Sequence, residues 1–500
     1  MKYYAIFAVL LGWNAYLLIV RAPRDAFWRA WMVAMLICPV YFAQAIGGFS
    51  LDMRTAVAMI CLAAIFVTTR PLDRFKVVPS DIAVILLFCE QVFSEFRLGG
   101  LTPMAGPDLA RRWILPYIVG RFFFFRPIEI RKSAPFVTYI CFILFFLASF
   151  EAVARMNPIA KPLGKRIRRL EQAEGFRWGI KRAHGNLTHP IYFGMVLTLV
   201  FPWVLEARRM AKEKKGGSWI LKYAPAYTFI AVVLTASRGP IIACLSCVYI
   251  TKMFQASGRA QKALFAIALI GGGSAYVAKD AVVELLGSLT GVENTGEDAK
   301  WVKIKGKEYL YTGTLHRELL DLVYEDGKNT TGLWGHGYAM RTVKVEPHLA
   351  HRFGSVDNHY LLFLLQRGHM GYWLFIALAV TSVGNCLWIA YHKKLVHAPF
   401  AAAMSGGLIG VTVLLKSVWF APDHGIPWLF VSGITACLMN LPKQETEDPL
   451  DVKREKRVSD VASKPGREQR EAQIPDPHLP HKPAKKRRVF HGHAPVRSSE

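Results

Sequence analysis

The chain has 500 residues, 53% of them hydrophobic, and a formal net charge of +26. Its apolar residues fall in runs long enough to cross a bilayer, which excludes an ordinary soluble domain and makes an all-α polytopic membrane protein the expected class. The positive charge then reads as loop anchoring against anionic lipid, with no nucleic-acid partner, and the eight cysteines, all in apolar runs, offer no disulfide framework in the loops.

In chain order, apolar segments are expected near 3–20, 27–46, 55–69, 82–96, 109–125, 134–153, 188–206, 219–236, 239–256, 262–279, 358–391, 399–416 and 424–441. That is about 12–13 transmembrane helices. The first run lacks a small-residue cleavage site and is followed by further spans, so it is not expected to be a cleaved signal peptide. The short runs at 55–69, 82–96 and 109–125 are expected to tilt, extend or re-enter. The long run at 358–391 is interrupted by Arg367-Gly368, where a break is expected. No internal repeat is visible by eye.

Basic residues crowd alternate short connections: Arg21, Arg24 and Arg29; Arg70, Arg74 and Lys76; Arg126, Arg131 and Lys132; and Lys393 with Lys394. The intervening ones hold fewer, among them Arg54, Arg97, Arg111, Arg112 and Arg238. The first set is therefore expected on the cytoplasmic side. Residues 1–441 form the expected membrane domain, and residues 280–356 a large outer loop within it. Residues 442–500 form a basic cytoplasmic tail whose Pro, Glu, Lys and Arg content predicts disorder. A second outer loop, 154–187, is itself basic. It reads either as an interfacial helix on headgroups or as a patch that draws in a phosphorylated substrate.

Four pieces of sequence carry chemistry. Ser237-Arg238-Gly239-Pro240 starts an apolar helix with a permanent cation at its amino end, a local arrangement suited to an anion. Asp357-Asn358-His359 starts another, with a capping residue before a first-turn histidine able to take a proton. Between them, Leu315, Leu319, Leu320 and Val323 share one face of a short amphipathic helix. It is expected to lie on the membrane surface and to hold Arg317 over the site entrance. The stretch Thr331–Tyr338 has three glycines around His336 and lacks the ending of a phosphate-cradling loop. His348-x-x-His351 and Cys244-x-x-Cys247 lack the further ligands that a metal site needs, so no metal is expected. Arg121 is either buried with a partner, facing a polar cavity, or snorkelling at a helix end.

From Arg182 to Tyr372 the order of these pieces resembles the O-antigen ligase and polymerase group of bacterial surface-polysaccharide enzymes. The resemblance runs through Gly185-Asn186-Leu187-Thr188-His189-Pro190, Ser237-Arg238-Gly239-Pro240, the helix at Arg317 and Gly335-His336-Gly337. It ends with Asn358-His359-Tyr360-Leu361 and Leu365-Gln366-Arg367-Gly368-His369-Met370-Gly371. It implies an inverting glycosyl transfer at the outer (periplasmic) face of the bacterial inner membrane, with no cofactor and no metal. The implied donor is a glycan on undecaprenyl pyrophosphate. The acceptor is a lipid A core sugar in ligases, a lipid-linked glycan in polymerases, or a protein hydroxyl in O-linked protein glycosylation. The resemblance makes Arg238 and Arg317 the pyrophosphate arginines and His359 the base. Arg182, His336 and Arg121 join them as candidate substrate-binding residues. A transporter or flippase is the alternative of a different class, and it would place charged or broken helices at mid-membrane depth.

Overall fold

The computed structural model describes residues 8–9, 12–17, 23–38, 43–46, 49–69, 71–99, 104–159, 175–177, 179–213, 218–277, 300–311, 316–338, 340, 343 and 345–442. The tail 443–500 and the cations between Lys161 and Arg169 lie outside them, as does much of the first apolar run.

Three described helices are long and apolar enough to cross a membrane: α6 (Pro127–Ala154), α7 (Pro190–Glu213) and α15 (His359–Tyr391). Around them stand α1 (Pro23–Leu36), α2 (Met53–Thr69), α3 (Pro79–Arg97), α9 (Ala224–Leu234), α10 (Arg238–Gln255), α11 (Gly258–Val277), α16 (Ala398–Leu414) and α17 (Pro422–Met439). Proline opens several of them, where its missing amide costs nothing. In α3 the Asp81 carboxylate also accepts the Val78 amide at 2.9 Å, and in α6 Glu129 accepts that of Phe125 at 2.6 Å.

Burial separates the centre from the rim. In α7, 89% of the apolar window is buried inside the protein, against 44% in α6 and in α15. The outer stripe of α6 leaves Ile143, Phe146, Phe150 and Val153 exposed, and that of α3 leaves Ile82, Ile85, Leu86 and Phe93. These residues recur at helical spacing, as expected for sides that meet lipid. Lipid is as apolar as leucine, so helices associate there by close packing. A Cβ on Gly433 of α17 would overlap the Tyr117 carbonyl, so only glycine allows that crossing.

Helix ends collect at two faces. At one, Arg121 and Asn440 both donate to the Lys76 carbonyl, at 2.7 and 2.9 Å, and Arg131 pairs with Glu213. At the other, Thr188 meets Asp423, Arg97 meets the Gly335 carbonyl and the His359 amide meets Leu415. The second face holds the site described below.

The structure departs from the expected segments in three places. Helix α1 stops at Leu36 and the chain then forms a hairpin, β1 (Ala43–Ile46) against β2 (Phe49–Asp52), so 27–46 is not one span. Pro39 has no amide with which to extend the helix. Segment 109–125 is broken into α4 (Ala105–Leu109), a π-type stretch (Ala110–Ile114) and α5 (Leu115–Arg121), followed by a buried non-helical Phe122–Phe125. Pro116 cannot donate to Arg112, and the ladder widens there. The amphipathic helix exists as α12 (His316–Val323), but its apolar face turns inward. Leu319, Leu320 and Val323 pack with Val302 and Ile304 of β5 (Lys300–Ile304), with Leu349 and Phe353 of α14 (Pro347–Phe353), and with Leu361 and Leu365 of α15. Protein supplies the apolar cover that the sequence alone assigns to lipid.

Candidate functional site

Asn358 caps α15, its Oδ1 accepting the Leu361 amide at 3.2 Å, and this sets His359 in the first turn. The His359 amide donates to the carbonyls of Leu415 (2.8 Å) and Val418 (3.1 Å) at the end of α16. Its ring is 3% exposed and caged by Phe363, Phe375 and Phe420, with centroids 4.8–5.0 Å away. Neither ring nitrogen has a hydrogen-bond partner among the described residues. A buried polar group without a partner is costly, so one held here is a candidate for work on a ligand.

The expected break of α15 is present: Gly368 has φ 68° and ψ −169°. Two i→i−4 bonds, from His369 to Leu365 and from Met370 to Gln366, are lost there. The glycine stretch replaces both. His336 and Gly337 donate to the freed carbonyls of Leu365 and Gln366 at 2.8 and 2.9 Å. The freed amides of His369 and Met370 donate to Gly332 and Leu333 at 3.2 and 3.0 Å. Gly335 (φ 70°) and Gly368 approach so closely that a Cβ on either would overlap the other's amide. The break also aims Arg367 sideways, where Nη1 meets Glu95 Oε1 at 2.7 Å.

These elements enclose a cavity of about 270 Å3. His359 and Phe420 line it, with Gln91, Glu95 and Arg367 on one wall and Asp108 and Arg112 on another. Its charges are paired: Arg367 with Glu95, and Arg112 with Asp108 at 2.8 Å.

On the other side of the α16 end lies the start of α10. Gly239 packs against Leu414, the residue before the one that holds the His359 amide. Ser237 is the cap residue, with extended backbone and no side-chain bond to the helix amides. The preceding turn forces Ala236 to φ 47°. Arg182 donates to the Thr235 carbonyl (3.1 Å) and to Ser237 Oγ (2.9 Å), and Arg177 to the Ala236 carbonyl (2.8 Å). Three guanidinium groups, Arg177, Arg182 and Arg238, thus gather on one turn. Burial and the nearby Arg238 both push Arg177 below the usual arginine range. The loop carrying Arg182 is pinned by the buried Glu151, which accepts the amides of His184 and Gly185 at 3.1 and 3.0 Å. Such a turn can bind an anion.

Of the residues singled out by sequence, Arg182 and Arg238 meet at this turn, and His359 lies across the α16 end from them. Arg317 falls in the first turn of α12; its side chain lies outside the described residues. His336 bonds the Gly327 carbonyl through Nε2 at 3.0 Å and serves the glycine stretch rather than the cavity wall. Arg121 is carried to the opposite face, paired with Asp81 at 3.0 Å and stacked on Phe75. Its carboxylate and carbonyl partners account for its burial. His348 bonds the Lys303 carbonyl, both residues of Cys244-x-x-Cys247 are buried and free, and no group of three metal-ligating side chains occurs among the described residues.

Sequence reasoning missed Gln91, Glu95 and His424, and it met Arg367 only as the helix break and Arg177 only as one cation of the basic loop 154–187. His424 is a second buried histidine whose ring nitrogens lack partners among the described residues, its ring tilted by 33° against Tyr192 with centroids 4.6 Å apart. A signal for the α3 wall was present: Glu90, Gln91, Ser94 and Glu95 form a polar stripe inside an apolar run. No protein-family model matches the chain, and no curated protein matches it.

Proposed function

We propose that the chain is an O-antigen ligase-like inverting glycosyltransferase, moving a glycan from undecaprenyl pyrophosphate to an acceptor hydroxyl at the periplasmic face of the bacterial inner membrane. One observation carries this reading. A buried histidine with unpartnered ring nitrogens and a three-arginine turn flank the same helix end, Leu414–Val418. A base beside a cationic turn suits a displacement in which a proton leaves one side and an anion the other.

In this reaction the acceptor oxygen attacks the anomeric carbon. The bond from that carbon to the pyrophosphate oxygen breaks, and the electron pair leaves with the lipid pyrophosphate. The acceptor proton passes to a ring nitrogen of His359. Negative charge grows on the leaving group, where Arg238, with Arg182 and Arg177 beside it, favours the transition state over the ground state. The donor is already activated, so the step uses only what these residues supply.

The test is surface-glycan banding in a strain lacking the protein, complemented with His359→Ala or Arg238→Ala. His359→Ala is expected to slow transfer by about 10²–10⁴-fold, with membrane insertion intact. Normal long-chain product from both variants would overturn the assignment. Lipid-linked polymer accumulating in the uncomplemented strain supports a ligase, whereas single lipid-linked units would select a polymerase.

A further inference from the structure

Three buried polar groups converge on the cavity beside His359. Gln91 is 1% exposed and its amide nitrogen has no partner among the described residues. Arg367, 3% exposed, has no partner there for Nε. The third is the His359 ring. The wall therefore offers donors from Gln91 and Arg367, an acceptor and donor from His359, and acceptor carboxylates from Glu95 and Asp108. The four charged groups that line the cavity, Glu95, Asp108, Arg112 and Arg367, sum to zero, and Asp108 is shared with Arg111, which also pairs with Asp52 behind the wall.

At the mouth, Trp419 is 39% exposed and Tyr338 58%. Exposed aromatic faces beside a polar floor suit a ligand with apolar C–H faces and polar edges. A sugar ring has that form, and each of its hydroxyls both donates and accepts. A phosphate or carboxylate ligand fits less well, since it would have to displace Glu95 or Asp108 from its arginine.

We propose that this cavity is the acceptor subsite and that it takes an uncharged saccharide, held by Gln91 and Arg367 and stacked on Trp419. The assignment rests on the glycosyl-transfer reading. It adds that the acceptor is a sugar rather than a protein side chain, and that the ring entering the cavity bears no phosphate or carboxylate. Gln91 and Trp419 are then specificity-determining residues.

Saturation-transfer NMR on the full chain in lipid nanodiscs tests this, with methyl glucoside, methyl galactoside, methyl mannoside and methyl N-acetylglucosaminide as neutral probes. At least one is expected to bind. Gln91→Leu should weaken that binding about fivefold, the loss of one net hydrogen bond. Trp419→Ala alters an exposed residue and so keeps the fold while removing the stacking face; it should weaken binding to a similar extent. Binding unchanged by both substitutions, no binding by any neutral probe, or stronger binding of glucose 6-phosphate to the same cavity would overturn the proposal. The banding test with Arg238→Ala is separate. Long-chain product surviving that substitution would sink the transfer reading, whereas neutral-probe binding lost on Gln91→Leu depends on the cavity alone.

Discussion

The turn Leu414–Val418 separates two regions that handle charge in opposite ways. On the His359 side, Arg367 and Arg112 face Glu95 and Asp108, and the ion pairs consume the charge they contain. On the Arg238 side, Arg177 and Arg182 donate to oxygens of the Thr235–Ser237 turn, which gathers three guanidinium groups at one helix start. Paired charges in a confined site recognise shape and hydroxyls; a cluster of cations recognises an anion. A transfer from a pyrophosphate donor to a sugar acceptor needs one region of each kind. The difference also separates stability from function. Removing a charge from the paired region should destabilise the protein, whereas removing one from the cationic turn should leave the fold and cost activity.

The largest effect is expected from Glu95→Ala. It leaves buried Arg367 without its hydrogen-bonded carboxylate at the break of α15, with only the more distant Glu90 near it. Stability should fall by about 3–5 kcal/mol, read as a lower midpoint in thermal unfolding of the detergent-solubilised protein. A midpoint equal to that of the parent chain would mean that the Arg367–Glu95 pair does not hold the break. Gly335→Ala comes next. It combines a left-handed backbone at φ 70° with a Cβ that overlaps the Gly368 amide and the Gln366 carbonyl. A loss of about 2–3 kcal/mol is expected, and limited proteolysis should then cut within Thr331–Tyr338 faster than in the parent. Unchanged cleavage would show that the replacement hydrogen bonds survive without glycine.

What was legible in the sequence was what lies within one helical turn. The cap at Asn358, the helix start at Ser237 and the interruption at Arg367-Gly368 all follow from local backbone chemistry, and the structure has each of them. Partners distant in sequence were not legible. Glu95 meets Arg367 across 272 positions and Thr188 meets Asp423 across 235, and no local pattern encodes either. The same limit explains Arg121, whose burial is explained by Asp81, and α12, whose apolar face is covered by β5 and α14 of the loop and by the start of α15. A polar stripe in an apolar run announces that partners exist but not which ones.

Arg177→Ala probes the cationic side. One neutral hydrogen bond to the Ala236 carbonyl is lost and one repulsive neighbour of Arg238 is removed. These oppose each other, so stability should change by less than about 1 kcal/mol. Transfer should fall roughly tenfold, because the turn that presents Arg238 loses a support and the leaving group loses a cation. An unfolding midpoint lowered as far as that of Glu95→Ala would erase the contrast between the two regions.

One further effect is set by pH and acts on both regions alike. His397 precedes α16, on the face opposite the site, and burial pushes it down to about 4 from an ordinary 6.5. The unfolded chain then takes up the proton first as pH falls, so the neutral, buried form contributes fully above about pH 6.5. That contribution is lost progressively between pH 6.5 and 4, and amounts to about 3 kcal/mol at most. Carboxylates titrate in the same range, so the readout is the difference between the parent chain and His397→Leu. The parent should lose stability more steeply on acidification than the variant, and parallel curves would rule out His397 as the cause. Because this loss arises at the far end of α16, it would lower the apparent activity of every site variant alike. Measured at one pH, this loss is common to Glu95→Ala and Arg177→Ala and cancels from the stability difference between them, so that difference reports on the site itself.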